Sequence, residues 1–149
     1  SAPSARPVTI YFGRKAHVYD VRAGRYLGEV ATYKTQLTPG VAQLYALLPY
    51  KLGTVSVTTN AQAKAGVAAS YAVKLAVPAV SVAHIVRVDV FGPDGKERPW
   101  YAANLSATQG AAQGTVNFAL DDQPGAWKIV ATDVATGVTG AATVKIAGR

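Results

Sequence analysis

The chain is 149 residues long and half hydrophobic, with 15 Lys and Arg against 8 Asp and Glu and a formal net charge of +7 at pH 7. It has no cysteine, which excludes disulfides, thiolate metal sites and a cysteine nucleophile, and only two histidines, which leave little for a zinc site or a His-based triad. The length fits one or two small domains, and the apolar share is too high for a disordered tail.

In chain order, Ser1-Ala2-Pro3-Ser4-Ala5 reads as a linker. Segments 8–12, 16–22, 26–35 and 41–48 read as four strands. Ala23-Gly24 and Thr38-Pro39-Gly40 look like hairpin connections, and Pro49 ends the last strand because proline cannot donate to a ladder. A boundary is expected near Leu52-Gly53, giving a small antiparallel β segment at 1–52. A piece of this size buries little core alone, so it should pack against the second domain or be the end of a longer sheet domain.

From residue 53 the hydrophobic period is two. Val55 and Val57 open the series, followed by Val67, Ala69, Tyr71, Val73, Leu75 and Val77, with Ala68, Ser70, Ala72, Lys74 and Ala76 between them. Val86, Val88 and Val90 repeat the alternation, as do Val116, Phe118 and Leu120, then Trp127, Ile129 and Ala131, then Ala142, Val144 and Ile146. Period two marks strands with one buried face. Turns separate them: Gly92-Pro93-Asp94-Gly95, Asp121-Asp122-Gln123-Pro124-Gly125 and Ala135-Thr136-Gly137. The expected fold class is therefore all-β, an immunoglobulin-like antiparallel β-sandwich at 53–149 preceded by the small antiparallel β segment.

The charge is uneven. Residues 1–52 hold seven of the basic residues and two of the acids. They come singly or in pairs, as in Arg14-Lys15, so the basic surface is read as solvated and no specific nucleic-acid partner is expected. No apolar run reaches the roughly 18 residues of a membrane span. No charged n-region with a following apolar stretch opens the chain, so a signal peptide is not expected within it.

Two stretches carry a family resemblance. His17-Val18-Tyr19-Asp20-Val21-Arg22-Ala23-Gly24-Arg25-Tyr26-Leu27-Gly28, followed by Leu37-Thr38-Pro39-Gly40-Val41-Ala42-Gln43-Leu44-Tyr45-Ala46-Leu47-Leu48-Pro49-Tyr50, resembles the closing strands of C-terminal sandwich domains in bacterial glycoside hydrolases. Those domains often carry a D-x-x-x-G-x-x-x-G hairpin and then L-x-P-G-x-A-x-L-x-x-L. The match covers about a quarter of the chain, and the resemblance implies that catalytic carboxylates lie on a separate barrel. Residues 53–149 look like a bacterial immunoglobulin-like or macroglobulin-type domain. The resemblance rests on His84-Ile85-Val86-Arg87-Val88-Asp89-Val90 with Pro93-Asp94-Gly95, and on Gly125-Ala126-Trp127-Lys128-Ile129 leading to Asp133 and Thr136-Gly137. It speaks for fold, not for function.

Individual residues divide into structural and binding readings. Trp127 shares the inward set with Ile129 and Ala131 and is expected as a core anchor. Trp100-Tyr101 follows a turn and the polar stretch Lys96-Glu97-Arg98-Pro99. Neighbours in a strand face opposite ways, so one of these rings is expected to be exposed and able to stack on a sugar face, against the alternative of packing at the sandwich rim. Trp100 and Tyr101 are therefore the carbohydrate-binding candidates. Tyr19, Tyr26, Tyr33 and Tyr50 form a second aromatic surface or fill the junction between segments. Asp121 and Asp122 read as turn formers, with calcium as the alternative, and Asp133 also as a turn former. His17 and His84 each open a strand without neighbouring acids in sequence, and no metal is assigned. No serine lies in a G-x-S-x-G context, there is no phosphate-binding glycine loop, and Asn104-Leu105-Ser106 matches a glycosylation sequon.

These readings converge on a non-catalytic accessory region of a secreted or cell-surface bacterial glycoside hydrolase. Its expected partners are the upstream catalytic domain of the same chain and, weakly, a polysaccharide, with no cofactor. The alternatives are a dedicated carbohydrate-binding module and a cell-surface adhesion or assembly module working through sheet edges.

Overall fold

In a computed structural model that describes residues 4–148, the chain is all-β. The linker reading falls partly on Ser1-Ala2-Pro3, which lie outside the described residues. The chain divides into two compact units, one taking in the chain as far as Lys51 with Ala135–Gly137, the other Leu52–Val134 and the chain from Val138 on.

The first unit is a three-stranded antiparallel sheet of β1 (Arg6–Asp20), β2 (Arg25–Leu37) and β3 (Tyr45–Leu48), in the order β2-β1-β3. Segments 8–12 and 16–22, expected as separate strands, belong to the single strand β1. The interruption is a register shift between Tyr11 and Ala16, where Gly13 takes φ +78° and β1 has more residues than β2. Such a bulge bends a ribbon without ending it, and in the sequence it has the same look as a strand end. Gly24, at φ +61°, closes the turn from β1 to β2, and the Asp20 carboxylate caps it by accepting the Ala23 N–H at 3.0 Å. The 38–40 connection is not a hairpin, because β3 pairs with β1 on the side away from β2. Of segment 41–48, only Tyr45–Leu48 is strand.

The second unit is a sandwich. One sheet is β4 (Val55–Thr59), β6 (Ala68–Leu75) and β9 (Ala111–Asn117), in the order β4-β6-β9. The other contains β5 (Gln62–Lys64), β7 (His84–Phe91), β8 (Ala103–Ala107), β10 (Gly125–Asp133) and β11 (Thr139–Ala147), in the order β5-β11-β10-β7-β8. Every pairing is antiparallel except the short β5, which runs parallel to β11. This is the two-sheet arrangement of an immunoglobulin-like domain.

Alternation explains the core. Tyr71, Val73 and Leu75 from one sheet meet Val86, Val88, Val90, Trp127, Ile129 and Val144 from the other, all buried. Each buried side chain of this size contributes about 1.5–3 kcal/mol. Packing sheets this closely requires small residues at contact points: a Cβ on Gly140 of β11 would collide with the Val55 carbonyl of β4. Three details depart from the alternation. Val67 lies before β6 and is exposed, Leu120 lies past the end of β9 and is 58% exposed, and the strands β5 and β8 were not foreseen.

Candidate functional site

The turn after β7 is built from its own residues. The Gly95 N–H donates to the Gly92 carbonyl at 2.9 Å, and the Gly92 N–H to the Lys96 carbonyl at 2.9 Å. The Asp94 carboxylate accepts from the Lys96 N–H at 3.0 Å and from the Arg98 guanidinium at 3.0 Å. The Arg98 hydrogen bond, then that of Lys96, holds the Asp94 carboxyl below its ordinary value of 3.8. Arg98 also donates to the Lys96 carbonyl at 2.8 Å and lies 5.3 Å over the Trp127 ring. Its backbone N–H bonds the Val90 carbonyl at 2.8 Å, which ties the turn to β7.

A single 3-10 turn, Pro99–Tyr101, follows, with proline at its start supplying the required φ. Trp100 and Tyr101 therefore do not lie on a strand, and their divergence comes from the tight turn instead of from strand alternation. Trp100 is 69% exposed. Tyr101 is half-buried, edge-on to Phe118 at 5.7 Å and to Trp127 at 6.1 Å. Its hydroxyl donates to Asp122 Oδ2 and accepts the Ala119 N–H at 3.0 Å, while Asp122 Oδ2 accepts the same N–H at 2.8 Å. Burial, then the hydrogen bond to Asp122, raises the Tyr101 pKa above its ordinary 10.0.

The two candidates thus have different circumstances. Tyr101 is a strut whose hydroxyl and ring edge are already engaged. Trp100 presents its ring to solvent from a turn fixed by Arg98 on one side and Tyr101 on the other, 6.0 Å between the two aromatic centroids. A flat apolar ring held in one place and open to water is suited to stacking on the apolar face of a sugar. Asp122 serves the Tyr101 strut, a role beyond local turn formation.

Trp127 is wholly buried, donates its indole N–H to the Gln123 carbonyl at 2.8 Å, and packs edge-on to Phe118 at 5.2 Å. The core-anchor expectation holds. Asp133 is not a turn former of the solvated kind: its carboxylate lies 2.8 Å from His84 Nδ1, both side chains within the sandwich. The signal for this pair was present in the sequence. His84 has the parity of Val86, Val88 and Val90, and Asp133 that of Trp127, Ile129 and Ala131, so both had to point inward.

In the first unit Tyr19 and Tyr50 are buried. Tyr26 stacks on His17 at 6.0 Å and accepts or donates a 2.8 Å hydrogen bond with His17 Nδ1, while Lys51 Nζ lies 4.6 Å over its ring. Tyr33 and Phe12 each meet Tyr45 edge-on, at 6.0 and 5.6 Å. Tyr19 and Tyr50 being buried and Tyr26 and Tyr33 half-buried, the four do not form a continuous exposed surface. The open ring in this unit is Tyr11, at 77% exposure, which sequence reading did not single out. Among the described residues no group of three His, Cys, Asp or Glu side chains is placed to hold a metal ion, and no helix is long and apolar enough to cross a membrane.

No family model matches the chain, and no curated protein matches it in sequence.

Proposed function

We propose that the chain is a non-catalytic accessory β-sheet region of a secreted bacterial glycoside hydrolase, acting beside or tethering the catalytic domain of the same polypeptide and touching carbohydrate through Trp100. The observation that carries this reading is the employment of the acids. Asp20 caps a turn, Asp89 pairs with Arg87 at 3.1 Å, and Asp94 holds Arg98. Asp122 braces Tyr101, Asp133 meets His84, and Glu29 lies 3.7 Å from His17. Glycoside hydrolysis needs two carboxyls about 5–10 Å apart across a substrate cleft, whereas these six of the eight acids serve the scaffold and the other two, Glu97 and Asp121, are exposed to solvent. Trp100 supports the sugar contact, since its ring is offered to solvent on a braced turn.

Two experiments test the reading. The gene that encodes the chain should also encode a glycosidase barrel on the same polypeptide; a gene without one contradicts the accessory role. The purified protein should be retained by an insoluble neutral polysaccharide and released by Trp100→Ala. Tight, saturable retention without any linked barrel would favour the dedicated binding module, and retention by protein partners alone the adhesion module.

A further inference from the structure

We infer that the solvent face of the β1–β2 ribbon binds an anionic polysaccharide, one bearing carboxylate or sulfate groups, through Tyr11 and Lys34. Alternation sorts this ribbon into two faces. Ile10 and Phe12 point to the side where Phe12 and Tyr33 pack against Tyr45. Thr9, Tyr11, Thr32, Lys34 and Gln36 have the opposite parity, and all are exposed. Thr9 pairs with Lys34 and Tyr11 with Thr32, so Tyr11 and Lys34 are diagonal neighbours, about 7–8 Å apart. A shallow depression of about 380 Å³ is lined by Pro7, Thr9, Lys34 and Gln36, which share this parity, together with Val8 and Thr35 of the other.

The charge of this region selects the occupant. Arg6, Arg14, Lys15 and Lys34 are exposed, and no acid occurs in 6–16 or 30–37. A polyanion is therefore attracted without local repulsion. A sugar ring can stack on Tyr11 while its acidic group meets the Lys34 ammonium and its hydroxyls meet Thr9, Thr32 and Gln36. Single-stranded nucleic acid suits the face less well, because such grooves stack successive bases on several aromatic platforms and meet the phosphates with repeated cations. Here one ring and one ammonium are set among hydroxyls and an amide. The inference is independent of Trp100, which belongs to the other unit.

The test is binding of the whole chain to dextran sulfate and to polygalacturonate at about 0.15 M salt, with unmodified dextran and oligothymidylate alongside. Saturable binding to at least one of the two polyanions is expected, and any binding to dextran should be unchanged in Tyr11→Ala and Lys34→Gln. Tyr11→Ala and Lys34→Gln should each weaken it at least about fivefold, whereas Lys128→Gln, the same charge change in the other unit, should weaken it less than about twofold. All three variants should retain the far-ultraviolet circular dichroism of the parent, since the sites are exposed. Equal losses from Lys34→Gln and Lys128→Gln would reduce the effect to net charge and overturn the inference. Tighter binding of oligothymidylate than of either polyanion, lost in the same variants, would overturn it in favour of nucleic acid. Absence of binding to both polyanions would overturn it outright.

Discussion

His84 Nδ1 and Asp133 Oδ1 lie 2.8 Å apart across β7 and β10, with side chains 1% and 0% exposed. The pair joins adjacent strands at the end of the sandwich, where Asp133 is opposite Val86 and its N–H bonds the Val138 carbonyl at 2.9 Å. Removing one partner of a buried polar pair takes from the other a hydrogen bond that water does not readily replace in a low-dielectric interior.

Asp133→Ala is therefore expected to lower unfolding stability by about 3–5 kcal/mol. Asp133→Asn, which keeps an acceptor near the imidazole, should cost less. Urea unfolding of the two variants beside the parent checks the order; equal, small losses would show that the pair is dispensable.

Trp127→Ala should cost about 3–5 kcal/mol, because it empties the centre of a cluster of Phe118, Tyr101 and Arg98 and leaves the Gln123 carbonyl without its donor. Thermal unfolding measures this directly. A melting temperature equal to that of the parent is incompatible with the packing described.

What the sequence revealed depended on how far apart the interacting residues are. Trp127, Ile129 and Ala131 could be assigned inward because strand alternation is local. The same parity marks His84 and Asp133, yet their contact spans 49 positions and only the sheet order brings them together. β5 escaped notice because three residues, Gln62–Lys64, give too short an alternation, and its parallel partner β11 is far away in sequence. β8 was hidden by small residues, Ala103 and Ala107, on its inward side. At the candidate site, exposure of one ring of Trp100-Tyr101 was legible as a possibility of adjacent residues. Which ring is exposed was not, since that follows from Asp122 reaching the Tyr101 hydroxyl. Tyr11 lay within the expected strand 8–12, but which face of that strand is left open depends on where β3 packs, which alternation alone does not give.

Tyr101 provides a pH test. Its folded-state pKa is raised above 10.0, first by burial and then by Asp122, so the neutral phenol is favoured in the fold. The corresponding stability is complete below the ordinary tyrosine value and is lost as pH rises through the higher folded value. Alkaline titration followed by nuclear magnetic resonance of tyrosine ring carbons should show Tyr101 ionising above the ordinary tyrosine value. In Asp122→Asn its midpoint should fall, because the hydrogen bond to Asp122 and the charge of Asp122 both raise it. A Tyr101 midpoint unmoved by that substitution would contradict the strut.

The most direct measurement titrates the intact protein and Trp100→Ala with soluble neutral polysaccharides while new reducing ends are counted in the same samples. A scaffold that lends one indole to a carbohydrate predicts saturable binding by the parent, its loss in the variant, and no cleavage by either. Reducing ends that accumulate with the purified chain, or binding that persists undiminished without Trp100, would contradict it.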